Sequence, residues 1–262
     1  MLLCIDIGNT NIKYAVFNGK NLMASYRVSS RHTRTADEYG ATLINLLSSS
    51  KINTSDIKGI IVSSVIPALN YTIIHMCEYF FNITPIMIGA GIKTGINIKA
   101  DNPKEVGADI IVNCVGAFNK YGNGKPMVVI DFGTATTFDV LTGNGELIGV
   151  VIAPGIKTAL EGLVSNTAQL PMIELVAPKN AIGKNTITCM QSGIIFGFAG
   201  LVENIVKKIR QELKLDFINV IATGGMGEII AKEVSCITKI DRMLTLEGLR
   251  LVYEMNKEKV ND

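Results

Sequence analysis

Residues Val128–Val140, VVIDFGTATTFDV, decide how the rest of the chain is read. The apolar, β-branched run Val128–Ile130 predicts a buried strand. That run stops at Asp131, and Gly133 with hydroxyls at Thr134, Thr136 and Thr137 predicts a tight turn before apolar residues resume. A strand ending in a carboxylate and a hydroxyl-rich glycine turn offers backbone N–H groups and a cation-ready oxygen at one point. Successive backbone N–H groups bind anions such as phosphate, and a carboxylate can hold the accompanying cation.

The design occurs once more, in Leu2–Phe17, LLCIDIGNTNIKYAVF. Superposing Asp6 on Asp131 places Gly8 on Gly133 and Thr10–Asn11 on Ala135–Thr136. Further on, Asn18–Lys20 (NGK) falls opposite Gly143–Gly145 (GNG), with a third apolar strand after each. Two copies of strand, Asp-x-Gly turn, strand, turn, strand point to an internal duplication, and repeats decide the architecture. Because the period is about half the chain, two similar halves facing each other are expected, residues 1–124 and 125–262. Strands mixed with helices make this an α/β fold, with ligands at the carboxyl ends of strands.

Composition narrows the function classes. A chain of 262 residues, 48% hydrophobic and 18% charged, is globular rather than disordered. Its 25 basic and 23 acidic residues leave a net charge of +2, which argues against a polybasic nucleic-acid binder. The five cysteines (4, 77, 114, 189 and 236) are scattered without CxxC, and four sit within apolar periodic segments. Free thiols of that kind suit a reducing compartment. With His32 and His75 the only histidines, zinc sites and histidine triads have little to build on. No continuous run of 18 apolar residues occurs, and the N-terminus enters a strand directly, so a soluble cytoplasmic protein without a membrane span or signal peptide is expected.

Between the two turns, helices are expected over Ala36–Leu47, capped by Thr33 or Thr35, and over Tyr71–Phe81. Strands are expected at Gly59–Val65 and Pro85–Ile88, before a Gly-rich loop, Gly89–Ala100. Asp101–Phe118, DNPKEVGADIIVNCVGAF, carries start signals for a helix, a capping Asp101 or Asn102 followed by Pro103. In the second half the expected helices are Gly155–Leu163, Thr186–Leu213 and Leu244–Met255. The middle of the second, Gly193–Val202, is apolar all round, which fits either core burial or a subunit contact. A strand at Val220–Ala222 leads into a third glycine turn, Gly224–Gly225.

Asp6 and Asp131 could each be a plain turn former, since Asp is common in turns. The same Asp-x-Gly pattern in two matching contexts favours function. No GxxxxGK[ST] and no GxGxxG occurs, so P-loop and dinucleotide-fold chemistry are not indicated. Three strand-end glycine turns suit a nucleotide, two at the phosphates and one against the adenosine.

DIGNTN, DFGTATT and TGG together resemble the sugar kinase and actin superfamily, with its duplicated ribonuclease H-like fold and a nucleotide cleft between the halves. Four further stretches narrow the resemblance to type III pantothenate kinases. They are Asp101–Asp109 (DNPKEVGAD), Val150–Gly162 (VVIAPGIKTALEG), Gly183–Thr186 (GKNT) and Gln191–Gly193. The resemblance runs in order through nearly the whole chain. It implies ATP-dependent phosphorylation of pantothenate, the first step toward coenzyme A, by a homodimer using Mg²⁺ and a monovalent cation (K⁺ or NH₄⁺). Membrane and nucleic acid are not among the implied partners.

Carried onto matching positions, the resemblance implies ATP contacts along Asp6, Ile7, Gly8, Asn9, Thr10, Asn11, Ile12 and Lys13, joined by Thr134. Asp131 would hold the monovalent cation, and Asp6 is the candidate for Mg²⁺. Asp109 would be the base that takes the proton from the substrate hydroxyl, with Gly107, Ala108 and Thr186 touching the substrate. The plain alternatives are an exposed helix aspartate at Asp109, the weaker reading there, and a helix cap at Thr186. Two positions depart from the family pattern. Its GADR motif here ends in Ile110, and the Tyr usual before the DNP segment is Ala100. Three readings follow: a pantothenate kinase with a rearranged carboxylate anchor, a kinase of another small hydroxyl compound, or a non-catalytic nucleotide-binding relative acting as an accessory protein.

Overall fold

The computed structural model describes residues 1–260. They form two compact units, Met1–Lys120 together with the segment from Leu244 onward, and Tyr121–Met243.

The first unit begins with three strands, β1 (Leu2–Ile7), β2 (Asn11–Asn18) and β3 (Asn21–Ser29), followed by helix α1 (Ala36–Ser49). Strand β4 (Gly59–Ser64), helix α2 (Pro67–Phe81) and the short strands β5 (Ile86–Met87) and β6 (Asn97–Ile98) come next, then helix α3 (Ala108–Tyr121). The sheet runs β3-β2-β1-β4-β5. Pairing is antiparallel from β1 to β2 and β2 to β3, and parallel from β1 to β4 and β4 to β5. All six residues of β1 are buried because both faces of the strand are covered, which is why its sequence is a continuous apolar run rather than an alternation. Leu3, Ile5 and Ile7 enter a core with Tyr39, Leu43 and Leu47 of α1 and with Ile73, Met76 and Cys77 of α2.

The second unit repeats the plan with β7 (Met127–Phe132), β8 (Ala135–Leu141) and β9 (Glu146–Pro154), followed by helices α4 (Ile156–Ser165) and α5 (Thr186–Glu212). Strand β10 (Asn219–Gly224), helix α6 (Gly227–Ala231) and strand β11 (Lys239–Ile240) complete it. Within this unit the order is β9-β8-β7-β10-β11, the same as in the first unit, with the same pattern of antiparallel and parallel pairs. Each unit even carries a register shift at the equivalent place, between Val16 and Phe17 in β2 and between Val140 and Leu141 in β8. The expected duplicated α/β architecture is present.

Several local readings change. Helix α2 starts at Pro67, four residues before Tyr71, because proline suits the first helical position; it ends at Asn82 in a left-handed conformation, φ 53°. Thr35, not Thr33, caps α1, through a reciprocal box with Glu38. Pro103 opens only a 3₁₀ turn, Pro103–Glu105. The extended Val106 (φ −70°, ψ 122°) interrupts it, so α3 starts afresh at Ala108. Of the five cysteines, Cys4, Cys77 and Cys114 are buried, Cys236 is intermediate and Cys189 is exposed, so three rather than four lie in the core.

The last helix, α7 (Leu244–Asn256), belongs to the first unit, not to the half in which the 1–124/125–262 division places it. Glycine explains this. A Cβ at Gly116 of α3 would lie 2.6 Å from the Leu244 carbonyl oxygen, and one at Gly248 of α7 would lie 1.9 Å from that of Val112. The two helices therefore cross backbone to backbone. Thr245 Oγ1 donates to Asn113 Oδ1 at 2.7 Å, and Lys120 pairs with Glu247 at 2.8 Å. The Asn256 side chain then fastens the Gly-rich loop, accepting from Lys93 N at 3.0 Å and donating to Lys93 O at 2.7 Å.

Helix α5 is the one described helix long and apolar enough to cross a membrane by length and composition. Its Ile195, Phe198, Val202, Val206 and Ile209 instead join Val128, Ile130 and Phe132 of β7 in the core of the second unit.

Candidate active site: two carboxylate turns and a helix start

Strand β1 delivers Asp6 to the carboxyl end of its sheet, 4% exposed. Its cross-strand partner on β2 is Lys13, whose Nζ donates to Asp6 Oδ2 at 3.0 Å. On the other side, β4 places Ser63 level with Asp6. Gly8 follows, and Asn9 and Thr10 are exposed, so the turn faces solvent while its carboxylate does not. Two backbone bonds shape the turn: Gly8 N donates to Asn11 O at 3.0 Å, and Ser30 N to Thr10 O at 3.0 Å. Ser30 Oγ also donates to Gly8 O at 2.6 Å.

Strand β7 delivers Asp131 in the same way. Gly133 N donates to Ala135 O at 3.0 Å, and Gly155 N to Thr134 O at 3.0 Å, the counterparts of the two bonds above. Thr158 Oγ1 adds a bond to Thr134 O at 2.7 Å, as Ser30 does to its own turn. The turns differ by one residue. Ile7 pairs with Ile12 across four residues, whereas Phe132 pairs with Thr136 across three. Beyond the turn, Lys13 thus corresponds to Thr137, and the superposition of Thr10–Asn11 on Ala135–Thr136 is one residue out of step.

The neighbours of Asp131 are Thr137 on β8 and Thr223 on β10. Thr137 Oγ1 is buried with no hydrogen-bond partner among the described residues. Gly224, at φ +92°, closes against the carboxylate: a Cβ there would sit 2.5 Å from Asp131 Oδ1 and 2.6 Å from Phe132 N. The third glycine turn therefore packs on the second, and a side chain at Gly224 would fill the space beside Asp131.

Asp109 is the second residue of α3, half-buried, with Oδ1 accepting from Ile110 N at 2.8 Å. That oxygen occupies the space over Gly107, where a Cβ would be 2.4 Å away. A carboxylate in the first turn of a helix is favoured by the helix dipole. Ala108 opens the helix, and Ile110 is buried at 8% exposure. Thr186 is the first residue of α5 and exposed, but the cap is Asn185, in a reciprocal box with Thr188. Ala100 is half-buried.

Against known proteins, a family model described as type III pantothenate kinase matches residues 2–208. The chain belongs to the type III pantothenate kinase family. Solved structures agree on the fold. A Campylobacter jejuni protein described as a conserved Baf family transcriptional activator is 18% identical, with 98% of this chain and 99% of that one covered, at a TM-score of 0.62. A Sinorhizobium meliloti protein described as a 2-dehydro-3-deoxygalactonokinase is 11% identical, with 97% and 96% covered, at 0.61. Component A of the Acidaminococcus fermentans (R)-2-hydroxyglutaryl-CoA dehydratase is 14% identical, with 100% and 99% covered, at 0.50.

For this pantothenate kinase family member, the hydroxyls beside the acids that the sequence does not single out are Ser63 and Thr223; Thr137 is named there only as a hydroxyl of the turn. The signal for Ser63 and Thr223 is register. A hydroxyl residue stands last but one in each parallel neighbour strand, in GIIVSS and in NVIATG, but only the pairing shows it level with the aspartate.

Proposed function

We propose that this protein is an ATP-dependent kinase that phosphorylates pantothenate, with Asp109 as the general base. One observation carries the reading: a strand with an aspartate as its last residue but one, and the same pair of turn-closing hydrogen bonds, recur in both units of a chain matched by the pantothenate kinase family model. Phosphoryl transfer asks a protein mainly for positioning and charge neutralisation. The turn from Asp6 to Lys13, with Ile7 and Ile12 as its paired strand ends, supplies backbone N–H groups and an ammonium for phosphate oxygens, and Thr134 adds a hydroxyl. ATP with Mg²⁺ supplies the phosphoryl group when bound. Lys13, paired with Asp6 in this structure, would turn its ammonium to a bound phosphate, and the Asp6 carboxylate would then be the residue to hold Mg²⁺.

The donors suit each ion. No group of three or more His, Cys, Asp or Glu side chains is placed to hold a metal among the described residues. A weakly held monovalent cation, K⁺ or NH₄⁺, fits Asp131 better, with the orphaned Thr137 hydroxyl on the same face of the β7–β8 pair. Asp109 takes the proton of the acceptor hydroxyl, and Gly107, Ala108 and Thr186 line the acceptor.

A second reading, a kinase of a less anionic hydroxyl compound, is favoured by Ile110. Where the family carries an arginine, this chain has a buried isoleucine next to the base. A loss of one charge-assisted hydrogen bond weakens carboxylate binding by roughly 10- to 150-fold. We further propose a cytoplasmic homodimer. Ile152, Met172, Val176, Ile182 and Ile187 of the second unit are exposed, and α5 presents Gly193, Gly197 and Gly200 with open space beside each. Exposed apolar side chains in this number support a subunit contact on the second unit.

The test is a coupled ADP-release assay with ATP, Mg²⁺, K⁺ and pantothenate, on the protein as it stands, on Asp109→Asn, and on Ile110→Arg with Ala100→Tyr. Turnover lost in Asp109→Asn supports the first reading. Turnover gained only in the double variant, or only on another alcohol, supports the second. ATP binding with no turnover on any acceptor would leave an accessory role, and no ATP binding at all would sink the proposal. Light scattering on the eluting protein decides the dimer.

A further inference from the structure

The second unit has an opening that the kinase reading does not use. A cavity of about 400 Å³ lies between the C-terminal half of α5 and the segment joining α6 to β11. Its apolar lining comes from Val206, Leu215 and Cys236, its charged lining from Glu203, Lys207 and Arg210. The charges are unevenly committed. Glu203, the one carboxylate of the lining, is engaged by the opposite wall, with Oε1 accepting from Ser235 N and Ser235 Oγ at 3.1 Å each. The Arg210 guanidinium donates to the backbone carbonyl of Asp216, and its Nε is buried without an acceptor among the described residues. Lys207 has no ion-pair partner among the described residues, since none of the salt bridges includes it. Burial first, and then Glu203, raises the Cys236 thiol, so it stays protonated and serves as apolar lining.

Two cations three residues apart lie on one helix face. Together with an apolar floor and a carboxylate already used for holding the walls, they complement an anionic head on a short apolar body. The volume falls in the range of small-molecule sites, roughly 300–1,000 Å³. We propose that this cavity binds a small organic anion, a carboxylate or phosphate monoester with a compact apolar group, held by Lys207 and Arg210. The site is separate from the Asp131 turn. Arg210 reaches the loop just before Asn219, and Thr238 Oγ1 accepts from Val220 N at 3.2 Å, so both walls attach to the start of β10. Gly224, which packs on Asp131, is the last residue of that strand. Five residue steps at about 3.3 Å each separate the two ends.

Phenyl phosphate and benzoate, with inorganic phosphate as the body-less control, test this by backbone amide NMR on the full chain. Saturable shifts are expected at Lys207, Ser235 and Cys236 with one or both aromatic anions, with weaker binding of inorganic phosphate. Lys207→Glu, an exposed substitution, should weaken binding roughly tenfold or more. Shifts confined to residues 131–134 and abolished by Mg-ATP would overturn the proposal, as would affinity unchanged in Lys207→Glu. No saturable shift with any of the three at millimolar concentration would overturn it too. The readout is binding, so it stands or falls apart from kinase activity.

Discussion

Replacing Gly224 with alanine tests the packing of the third glycine turn on Asp131. Two costs add. At φ +92° an L-residue is in the left-handed region, at roughly 1–2 kcal/mol. The new Cβ would also lie 2.5 Å from Asp131 Oδ1 and 2.6 Å from both Phe132 N and Phe132 O. The carboxylate can rotate away; the Phe132 backbone is locked in the β7–β10 ladder and cannot. Overpacking of this kind costs about 1–3 kcal/mol. Gly224→Ala should therefore destabilise the protein by about 2–5 kcal/mol in urea unfolding and displace Asp131. Gly162→Ala is the opposing control. Gly162 is within α4 with nothing within 4 Å of its Cβ position, so alanine there should stabilise by about 0.5–1 kcal/mol. Equal midpoints for the two variants, at unchanged slope, would refute the close approach. If Asp131 holds the monovalent cation, Gly224→Ala should also need more K⁺ for half-maximal ADP release.

If Asp109 is the base, Asp109→Asn should lower kcat by about 100-fold or more while ATP still shifts the melting temperature, since a base acts on the proton and not on the nucleotide. Gly107→Ala pushes a Cβ to 2.4 Å from Asp109 Oδ1 and should depress kcat with little loss of stability, read by activity and urea unfolding side by side. Thr35→Ala removes the α1 capping box and should cost about 1 kcal/mol in the same unfolding assay. Burial pushes the Cys77 thiol up to about 12 and raises that of Cys4 as well, so an aromatic disulfide reagent at pH 8 should label Cys189 first. In the unfolded chain the thiol ionises near its ordinary value of 9.0. The folded state therefore holds an extra proton between pH 9 and about 12, and stability present below pH 9 should fall across that window, less steeply in Cys77→Ala.

How much of this was legible beforehand depended on how local each signal was. The acid-ended strands, both glycine turns and the order of elements follow from short patterns: β-branched runs, Asp-x-Gly, a proline before a helix. Asp6 and Asp131 were visible because each turn is encoded within a dozen residues. What the chain kept hidden came from pairing over long distances. Nothing near Leu244 says that α7 packs on α3, because the partners, Gly116 and Gly248, are 132 positions apart in a sequence with 25 glycines. Similarly, Ser63 and Thr223 look like ordinary strand-end residues until the parallel register sets them beside the aspartates. The break at Val106 was local but weak, since one extended residue between two good helix starters leaves no compositional mark.

On the proposed reading, the two turns give two jobs to one duplicated element. Both keep the acid, the glycine, the two closing hydrogen bonds and a hydroxyl on the parallel neighbour strand. They part at the antiparallel neighbour. Opposite Asp6 stands Lys13, 3.0 Å away, so that charge is balanced from within. Opposite Asp131 stands Thr137, whose buried oxygen has no hydrogen-bond partner among the described residues. A carboxylate with a cross-strand ammonium suits a site whose ligand brings several negative charges. A carboxylate beside an orphaned hydroxyl suits a site whose ligand brings one positive charge. Exchanging the residues decides between this division of labour and mere drift. Thr137→Lys should supply a tethered ammonium beside Asp131 and make ADP release independent of K⁺. If K⁺ dependence survives that change intact, Asp131 is not the cation's ligand and the charge logic of the second turn is wrong.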